Sequence, residues 1–391
     1  MLRLQQSPTD PDFIQNPYDF YDRARAGGDL FFWDEYDMPM AVSFGAVNAL
    51  LRDRRFGREP VTPIEFPDHL APFYAVEAHS MLELEAPRHT RLRKLVLRAF
   101  TSRRIAGLGP EIEVLTHQLI DAFPKGEFDL LPTFATRIPV IIICRLLGVP
   151  EDMADDLLKW SNAMVSMYQA RRTRQIEDDA VAATEAFVAF MRDYIDQRRG
   201  DPRDDLITEL ITAEEEGERL STDELISTCI LLLNAGHEAT VHALAIAVKT
   251  ILQQKTPAEF LTTDTIGGTA EEVVRFDPPL HMFTRHVYED TVFYGNELKR
   301  GDEIGLLLGA ANRDPDVWDD PATFDPARPI KPNTSFGAGA HFCIGAPLAR
   351  LEMAHSLPIL FERCPNLRLT APPKFGNVYH FHGLEKLMVQ T

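Results

Sequence analysis

One cysteine, Cys343, lies in a glycine-rich stretch, residues 336–345, immediately before a helical pattern. Glycine tolerates positive φ angles and lets another group approach the backbone closely. Because Pro347 suits the first turn of a helix, Cys343 is predicted to lie where a loop enters a helix N-terminus. The free amides and the helix dipole there favour a thiolate, which can ligate a metal or act as a nucleophile. The alternative is a small buried hydrophobic side chain.

A long helical pattern, residues 225–253, is apolar on every side and predicts a buried central helix of about 45 Å. Two residues inside it are costly there. Gly236 costs about 1 kcal/mol relative to alanine, and a buried carboxylate at Glu238 costs more unless it has a partner. Ala235 and Ala239 are small and lie one turn apart. Together, these four residues indicate that the helix leaves space for a ligand beside it. The structural alternative is that the small residues allow another helix to cross closely.

Charged residues mark two further segments. In a helical pattern at 269–276, Glu272 and Arg275 are three residues apart and can meet on one face. Seven Lys and Arg residues lie between positions 88 and 104 with no acidic residue. This basic run is either a solvated helix face or an anion-binding surface, in which His89 and Arg93, one turn apart, can reach one group together.

Composition limits the class of protein. The net charge of −19 over 391 residues argues against nucleic acid or an anionic membrane as a partner. The N-terminus does not resemble a signal peptide, and no window is predicted to be apolar enough to span a membrane. Four cysteines without CxxC spacing make a disulfide framework or a zinc site improbable. No linker divides the chain, so residues 1–391 are predicted to form a single cytoplasmic domain.

Four signatures occur in a sensible order along the chain. They are His89-x-x-x-Arg93, Ala235-Gly236-x-Glu238, Glu272-x-x-Arg275 and Phe336-x-x-Gly-x-x-x-Cys343-x-Gly345. Together they make the sequence similar, over essentially its whole length, to soluble bacterial cytochromes P450. This resemblance implies a mainly α fold with a small β-rich portion and a long central helix over a haem.

The resemblance implies haem b as the cofactor, with Cys343 as the thiolate ligand to its iron. It implies that the haem propionates are bound by His89, Arg93, Arg285 and His341. Further haem contacts are implied for Ala235, Gly236, Phe336, Gly337 and Gly345. A structural ion network is implied for Glu272, Arg275 and Arg328.

The resemblance assigns Glu238 to proton delivery, but the next position departs from the family. Most members have a threonine whose hydroxyl assists the activation of dioxygen, whereas this chain has Ala239 followed by Thr240. Adjacent helical residues point about 100° apart, so Thr240 cannot simply take over. We hypothesise that a substrate hydroxyl or an ordered water supplies the hydrogen bond. The use of peroxide, or high uncoupling, is the alternative.

The pocket implied by the family pattern is mostly apolar and suits a small to medium organic substrate. Its predicted lining is Met81, Leu82, Met164, Met167, Leu231, Leu232, Ala235, Ala239, Leu280, Met282, Phe283 and Phe381. The predicted polar anchors are Tyr168, His281 and His380.

The chain contains no flavin or iron–sulfur motif, so electrons from NAD(P)H must arrive through separate proteins. The resemblance implies a ferredoxin reductase and a ferredoxin, with the acidic ferredoxin docking on the basic run. The predicted function is a haem-thiolate monooxygenase that inserts one atom of O2 into the substrate. The alternatives are a haem protein that senses or carries gases and a helical protein with an inert cysteine.

Overall fold

The computed structural model describes residues 1–168, 172–215 and 217–391, and this part of the chain is mainly helical with a smaller β-rich portion. The helices are α1 (Pro11–Gln15), α2 (Tyr18–Arg25), α3 (Phe44–Leu50), α4 (Ala71–Glu77), α5 (Arg88–Ala99), α6 (Ser102–Ala106), α7 (Gly109–Asp121), α8 (Arg137–Leu147), α9 (Ala154–Val165), α10 (Arg174–Gly200), α11 (Leu206–Thr212), α12 (Thr222–Gln254), α13 (Ile266–Phe276), α14 (Leu308–Ala311) and α15 (Ala346–Arg363). The strands are β1 (Leu2–Leu4), β2 (Leu30–Trp33), β3 (Met38–Ala41), β4 (Phe56–Gly57), β5 (Glu127–Asp129), β6 (Glu214–Glu215), β7 (Glu218–Arg219), β8 (Met282–Val287), β9 (Thr291–Phe293), β10 (Asn296–Leu298), β11 (Glu303–Leu307), β12 (Arg368–Leu369), β13 (Lys374–Phe375), β14 (Leu384–Lys386) and β15 (Met388–Gln390).

The central helix is α12, which begins at a capping box. The Ser221 side chain accepts a hydrogen bond from the Glu224 amide, and the Glu224 side chain accepts one from the Ser221 amide. The helix then runs without interruption to Gln254 and ends at Lys255, which has a positive φ. It packs against α8, α9, α10 and α13. The predicted long buried helix is therefore present, with boundaries close to those expected.

A six-stranded sheet forms most of the β-rich portion, in the order β1-β2-β3-β11-β8-β4. The pairs β1–β2 and β3–β11 are parallel, and the other neighbouring strands are antiparallel. Strand β8 lies between β11 and β4, so both of its edges are paired. Because side chains alternate along a strand, Phe283 and Arg285 share one face of β8, and Met282 points to the other.

Three apolar clusters fill the interior. The largest joins the helices around α12, and a second lies between the sheet and α3. The third is an aromatic cluster near the N-terminus that includes Phe13, Tyr21, Phe31 and Trp33. Strands β2 and β3, which contribute Phe31, Trp33 and Met40 to this cluster, form a β-hairpin.

Residues 60–85 are rich in proline, yet they contain a 3₁₀ turn, Asp68–Leu70, followed by α4. Pro72 lies in the first turn of α4, where the missing amide hydrogen costs nothing, so the prolines of this segment permit a short helix.

The expectation that no window is apolar enough to span a membrane is wrong. Helix α12 is long and apolar enough to do so by length and composition, but 61% of its most apolar window is buried inside the fold. Burial in a protein core accounts for that composition.

Candidate functional site

The loop before α15 fixes the position of Cys343. The Cys343 amide donates to the Phe336 carbonyl at 2.9 Å. Gly337 and Gly339 both have positive φ, and a Cβ added to Gly339 would lie 2.3 Å from the Leu51 carbonyl oxygen, so only glycine fits there. Pro347 falls in the first turn of α15, as the sequence predicted. Cys343 is exposed, whereas the other three cysteines are buried.

Several groups act on the Cys343 thiol. Although the residue as a whole is exposed, its sulfur lies among protein atoms, and this burial raises the pKa of the thiol. The amides of Gly345 and Ala346 and the guanidiniums of Arg93 and Arg350 only partly oppose the effect. The sequence argument predicted a favoured thiolate, and it is wrong in direction for the thiol without a metal because desolvation is the larger effect. A coordinating metal ion deprotonates a thiol outright. The site therefore suits a metal ligand better than a free nucleophile.

Arginine side chains hold the loop from two sides. Arg93 of α5 donates to the Phe342 carbonyl at 2.6 Å. The Arg350 guanidinium lies 4.4 Å from the centre of the Phe336 ring and is paired with Glu271. These contacts connect α5 and α13 to the cysteine loop. They also place two positive charges near the sulfur.

Two of the predicted propionate-binding residues, His89 of α5 and His341 of the cysteine loop, lie side by side. The rings of His89 and His341 are 4.2 Å apart. His89 is buried, burial lowers its pKa to about 4, and its Nε2 has no partner in the described part of the chain. The Nε2 of His341 is 3.0 Å from a carboxylate oxygen of Glu85, a partner that the sequence analysis missed.

Arg285 is a buried cation. Its side chain is only 3% exposed, and among the described residues it has no ion-pair partner; its one hydrogen bond goes to the Thr284 carbonyl at 2.8 Å. Burial lowers its pKa to about 10. Glu83 and Glu85 oppose this shift only in part. The neighbouring Phe283 ring lies 3.8 Å from where a Cβ of Gly337 would be, so this face of β8 borders the cysteine loop. A buried cation without an ion pair is costly, and its location indicates a place for an anionic group.

One face of α12 borders open space inside the protein. Its partly or fully exposed residues are Leu231, Asn234, Ala235, Glu238, Ala239 and His242, which are spaced as one helix face requires. Thr240 is 6% exposed and lies off this face, as expected for its angular position. A Cβ added to Gly236 would lie 3.1 Å from Ile143 of α8. Gly236 therefore serves a close helix crossing, and the clearance beside the helix comes from Ala235 and Ala239.

Glu238 lies at a cavity of about 230 Å³ between α12, the end of α9 and the C-terminal segment. Its side chain is 20% exposed, and burial raises its pKa to about 7. The cavity is also lined by Asn162, Ser166, His242 and Phe381. This cavity therefore combines a partly apolar wall with a carboxylic acid, Glu238, whose raised pKa favours its protonated form.

The structure separates the other predicted pocket residues into two groups. Partly or fully exposed are Leu82, Leu231, Leu280 and Phe283, and buried are Met81, Met164, Met167, Leu232 and Met282. Leu280 forms a β-bridge with Phe381, which places both near the cavity wall. Met282 belongs to the N-terminal aromatic cluster, so we exclude it from the pocket.

Two of the three predicted polar anchors are engaged elsewhere. His281 is fully buried, and its Nδ1 is 2.9 Å from the Tyr21 hydroxyl. Asp277 and His382 lie close to the same ring. Tyr168 donates to Glu77 at 2.8 Å, and burial raises the pKa of Glu77 to about 7. His380 is partly exposed. Glu77 could not be predicted from local sequence, because its partner Tyr168 lies 91 positions away along the chain.

The predicted ion-network residues Arg275 and Arg328 both contact Glu272. Arg275 donates to both carboxylate oxygens of Glu272 at 2.7 Å, and both residues are almost fully buried. Arg275 also donates to the carbonyls of Asn312, Pro321 and Thr323. Arg328 lies 3.4 Å from Glu272. The network therefore joins α13 to the segment that leads to the cysteine loop.

Comparison with known proteins gives consistent matches. The family model described as "Cytochrome P450" matches residues 64–259 and 268–374. The chain is 39% identical over 317 residues to Cytochrome P450 107B1 of Saccharopolyspora erythraea, with 79% of this chain and 76% of that protein covered. It is 35% identical over 378 residues to the cytochrome P450 monooxygenase PikC of Streptomyces venezuelae, with 93% and 87% covered. The crystal structure of P450BioI in complex with an acyl carrier protein ligated to hexadec-9Z-enoic acid superimposes with a TM-score of 0.92 at 32% identity, with 97% and 99% covered.

Proposed function

The chain belongs to the cytochrome P450 family, and from that premise we propose which residues hold its haem and how they serve the reaction. It is a haem-thiolate monooxygenase of small to medium organic substrates that depends on separate redox partners. When bound, the haem supplies the activation of dioxygen. The observation that carries the proposal is the exposed residue Cys343 just before α15, with the buried Arg285, which has no ion-pair partner in the described part of the chain, beside its loop.

We assign the haem contacts from this arrangement. Cys343 is the proposed thiolate ligand, and haem b is the proposed form because the resemblance to soluble bacterial cytochromes P450 implies it. Arg285 and His89 each offer an unpaired donor or lone pair that a propionate or its water can satisfy. Arg93 already donates to the Phe342 carbonyl, and His341 already contacts Glu85. We therefore propose that these two residues contribute less to propionate binding than Arg285 and His89 do.

The proposed cofactor is tested on purified protein by absorbance. Reduced protein under carbon monoxide should show the long-wavelength Soret band that a sulfur-anion ligand produces. A band at the position of a nitrogen-ligated haem, in protein that is folded and loaded with haem, would contradict the assignment of Cys343. Product formed from NAD(P)H and O2 in the presence of redox proteins tests the monooxygenase reaction itself.

Residues of α12 are proposed to line the side of the haem on which the substrate binds. Ala235 and Ala239 clear the face of α12, and Glu238 holds a proton near neutral pH. Leu231, Leu280 and Phe381 are proposed to orient an apolar substrate against this face. With no hydroxyl at position 239, we propose that a substrate hydroxyl or an ordered water provides the hydrogen bond that other members take from threonine.

The first prediction concerns Ala239→Thr. The new hydroxyl should raise product formed per NAD(P)H about threefold to tenfold for substrates without a hydroxyl near the oxidised carbon, the effect of one added hydrogen bond. Substrates that carry such a hydroxyl should change by less than about twofold. The measurement is product yield against NAD(P)H consumed for matched substrate pairs. Ala239→Ser is the smaller control, and an equal gain for both members of each pair would contradict the hypothesis.

A ferredoxin is proposed as the electron donor, docking on the face of α5 and α6 near the cysteine loop. Arg91 and Arg104 of the basic run are already paired with acidic residues of this chain. Lys94 and Arg103 are exposed, with no ion pair in the described part of the chain. Because Arg93 on α5 contacts Phe342, an acidic protein bound at Lys94 would approach the thiolate side of the haem.

The second prediction tests this surface. Lys94→Glu combined with Arg103→Glu should slow reduction by an acidic ferredoxin about tenfold at low salt, because steering by opposite charges is lost. The difference from the unmodified protein should shrink as ionic strength rises. Stopped-flow reduction rates give the measurement, and Lys374→Glu combined with Lys386→Glu, two exposed lysines on β13 and β14, is the charge-matched control. Rates that do not respond to salt in the unmodified protein would overturn the docking surface.

We also propose that residues 1–391 act as one domain in the cytoplasm. Two observations support this. The largest apolar cluster draws residues from positions 14 to 389, and the helix apolar enough for a membrane is buried in that cluster.

A further inference from the structure

His237 precedes Glu238 on α12, and its tautomer follows from its surroundings. Its side chain is 4% exposed, and its Nδ1 lies 2.6 Å from the Leu233 carbonyl oxygen. A carbonyl only accepts, so Nδ1 carries the hydrogen. Burial lowers the pKa of His237 to about 4, and the ring is therefore neutral at neutral pH. Its Nε2 is an unprotonated acceptor.

This acceptor has no partner in the described part of the chain, although an acid lies beside it. The Nε2 of His237 is buried and unpaired, and it is 3.6 Å from Oε2 of Glu238. At that distance the two atoms are not hydrogen-bonded. If Glu238 is ionised, two lone pairs face each other. If it is protonated, its hydroxyl can donate to Nε2 after a small rotation, and the buried acceptor is then satisfied.

The groups around Glu238 do not favour its ionised form. The end of α9 contributes Asn162 and Ser166 to the cavity, and α12 contributes His242, whose pKa burial lowers to about 4. The C-terminal segment contributes only glycine and apolar side chains. On its other side, α12 packs Gly236 against Ile143 of α8. Among the described lining residues there is thus no cation to hold a carboxylate.

We propose that His237 is a positioning residue whose Nε2 accepts the proton of the Glu238 carboxylic acid, holding that acid neutral and in one orientation beside the cavity. This inference rests on the proposed function, which assigns proton delivery to Glu238. Each monooxygenation consumes one O2, two electrons and two protons and yields the oxidised substrate and water. Glu238 gives up its hydroxyl proton and regains one from water in the cavity, while the hydrogen on Nδ1 of His237 stays in place.

Ala239 makes this arrangement important. A threonine hydroxyl next to the acid would itself fix the direction in which the acid donates. With a methyl group there, the described residue best placed to orient the acid is His237.

Difference infrared spectroscopy of the haem-loaded protein tests the hydrogen bond. The C=O stretch of protonated Glu238, identified by its loss in Glu238→Gln, should move to higher frequency in His237→Met, because the acid loses its acceptor. His237→Gln should restore the original band, since its amide can donate to Leu233 and present its oxygen to Glu238. Product formed per NAD(P)H should fall about fivefold in His237→Met and recover in His237→Gln.

Several outcomes would overturn the inference. One is a Glu238 band that does not move in His237→Met, and another is no protonated band at all within about one unit of pH 7. If His237→Met does not fold, nitrogen NMR of the unmodified, reduced carbon monoxide form decides. The Nε2 resonance of His237 must then titrate with Glu238 and stop doing so in Glu238→Gln. A normal Soret band with an unmoved infrared band refutes only the role of His237, whereas a missing Soret band refutes the proposed function.

Discussion

Replacing Cys343 by serine is expected to lower product formation at least about a thousandfold, which corresponds to more than about 4 kcal/mol of activation free energy. A serine hydroxyl stays protonated where a metal-bound thiol is deprotonated, so the electron donation of the thiolate is lost. The long-wavelength Soret band of the reduced carbon monoxide form should disappear with the activity. Both are measured on one preparation, with haem content determined separately.

Cys364→Ser is the matched control, because it changes a cysteine just past the other end of α15 that is buried and far along the chain from the loop. It should keep the Soret band and the activity within about twofold. If Cys343→Ser retained the band, or if Cys364→Ser lost it, the assignment of the iron ligand would be wrong. The test is sharp because Cys343 is the only exposed cysteine of the four.

Features decided by local sequence could be predicted. The long apolar run predicted the burial of α12, and Pro347 marked the first turn of α15. The spacing of Glu272 and Arg275 placed both on one helix face, and the structure joins them directly. Each of these depends on residues within a few positions of one another, so periodicity and capping rules suffice.

Features decided by tertiary packing could not be predicted. Met282 was expected in the pocket, but strand alternation turns it toward the aromatic cluster while Phe283 and Arg285 point the other way. His281 was expected to anchor a substrate, yet its partner is Tyr21, which lies 260 positions away. The direction of the Cys343 pKa depends on how many atoms surround the sulfur, which no local pattern reports.

Cys343 and Glu238 of the proposed site differ in the groups that oppose burial. Burial raises the pKa of both side chains. Around Cys343, Arg93, Arg350 and two amides oppose that effect in part, so these groups assist the metal in holding the sulfur as a thiolate. No such opposing group acts on Glu238 among the described residues, and its pKa of about 7 makes it a source of a transferable proton.

Glu272→Ala is expected to lower the free energy of unfolding by about 3–5 kcal/mol, the effect of removing one partner from a buried ion pair. The substitution leaves the buried Arg275 guanidinium without a carboxylate. Arg275 also donates to the carbonyls of Pro321 and Thr323. The segment leading to the cysteine loop should therefore loosen, and the haem content of the purified protein should fall with the stability.

Urea denaturation of the haem-loaded protein, read by circular dichroism, measures this effect. Arg174→Ala breaks an ion pair with Asp178 whose side chains are 65% and 50% exposed, and it should change the free energy of unfolding by less than about 0.5 kcal/mol. Each variant removes one member of an ion pair within a single helix. The difference between their unfolding free energies therefore reports the effect of burial rather than the effect of removing a charge. If they were equally destabilising, the buried network would contribute no more than a surface pair, and Glu272 would have no special part in holding the cysteine loop.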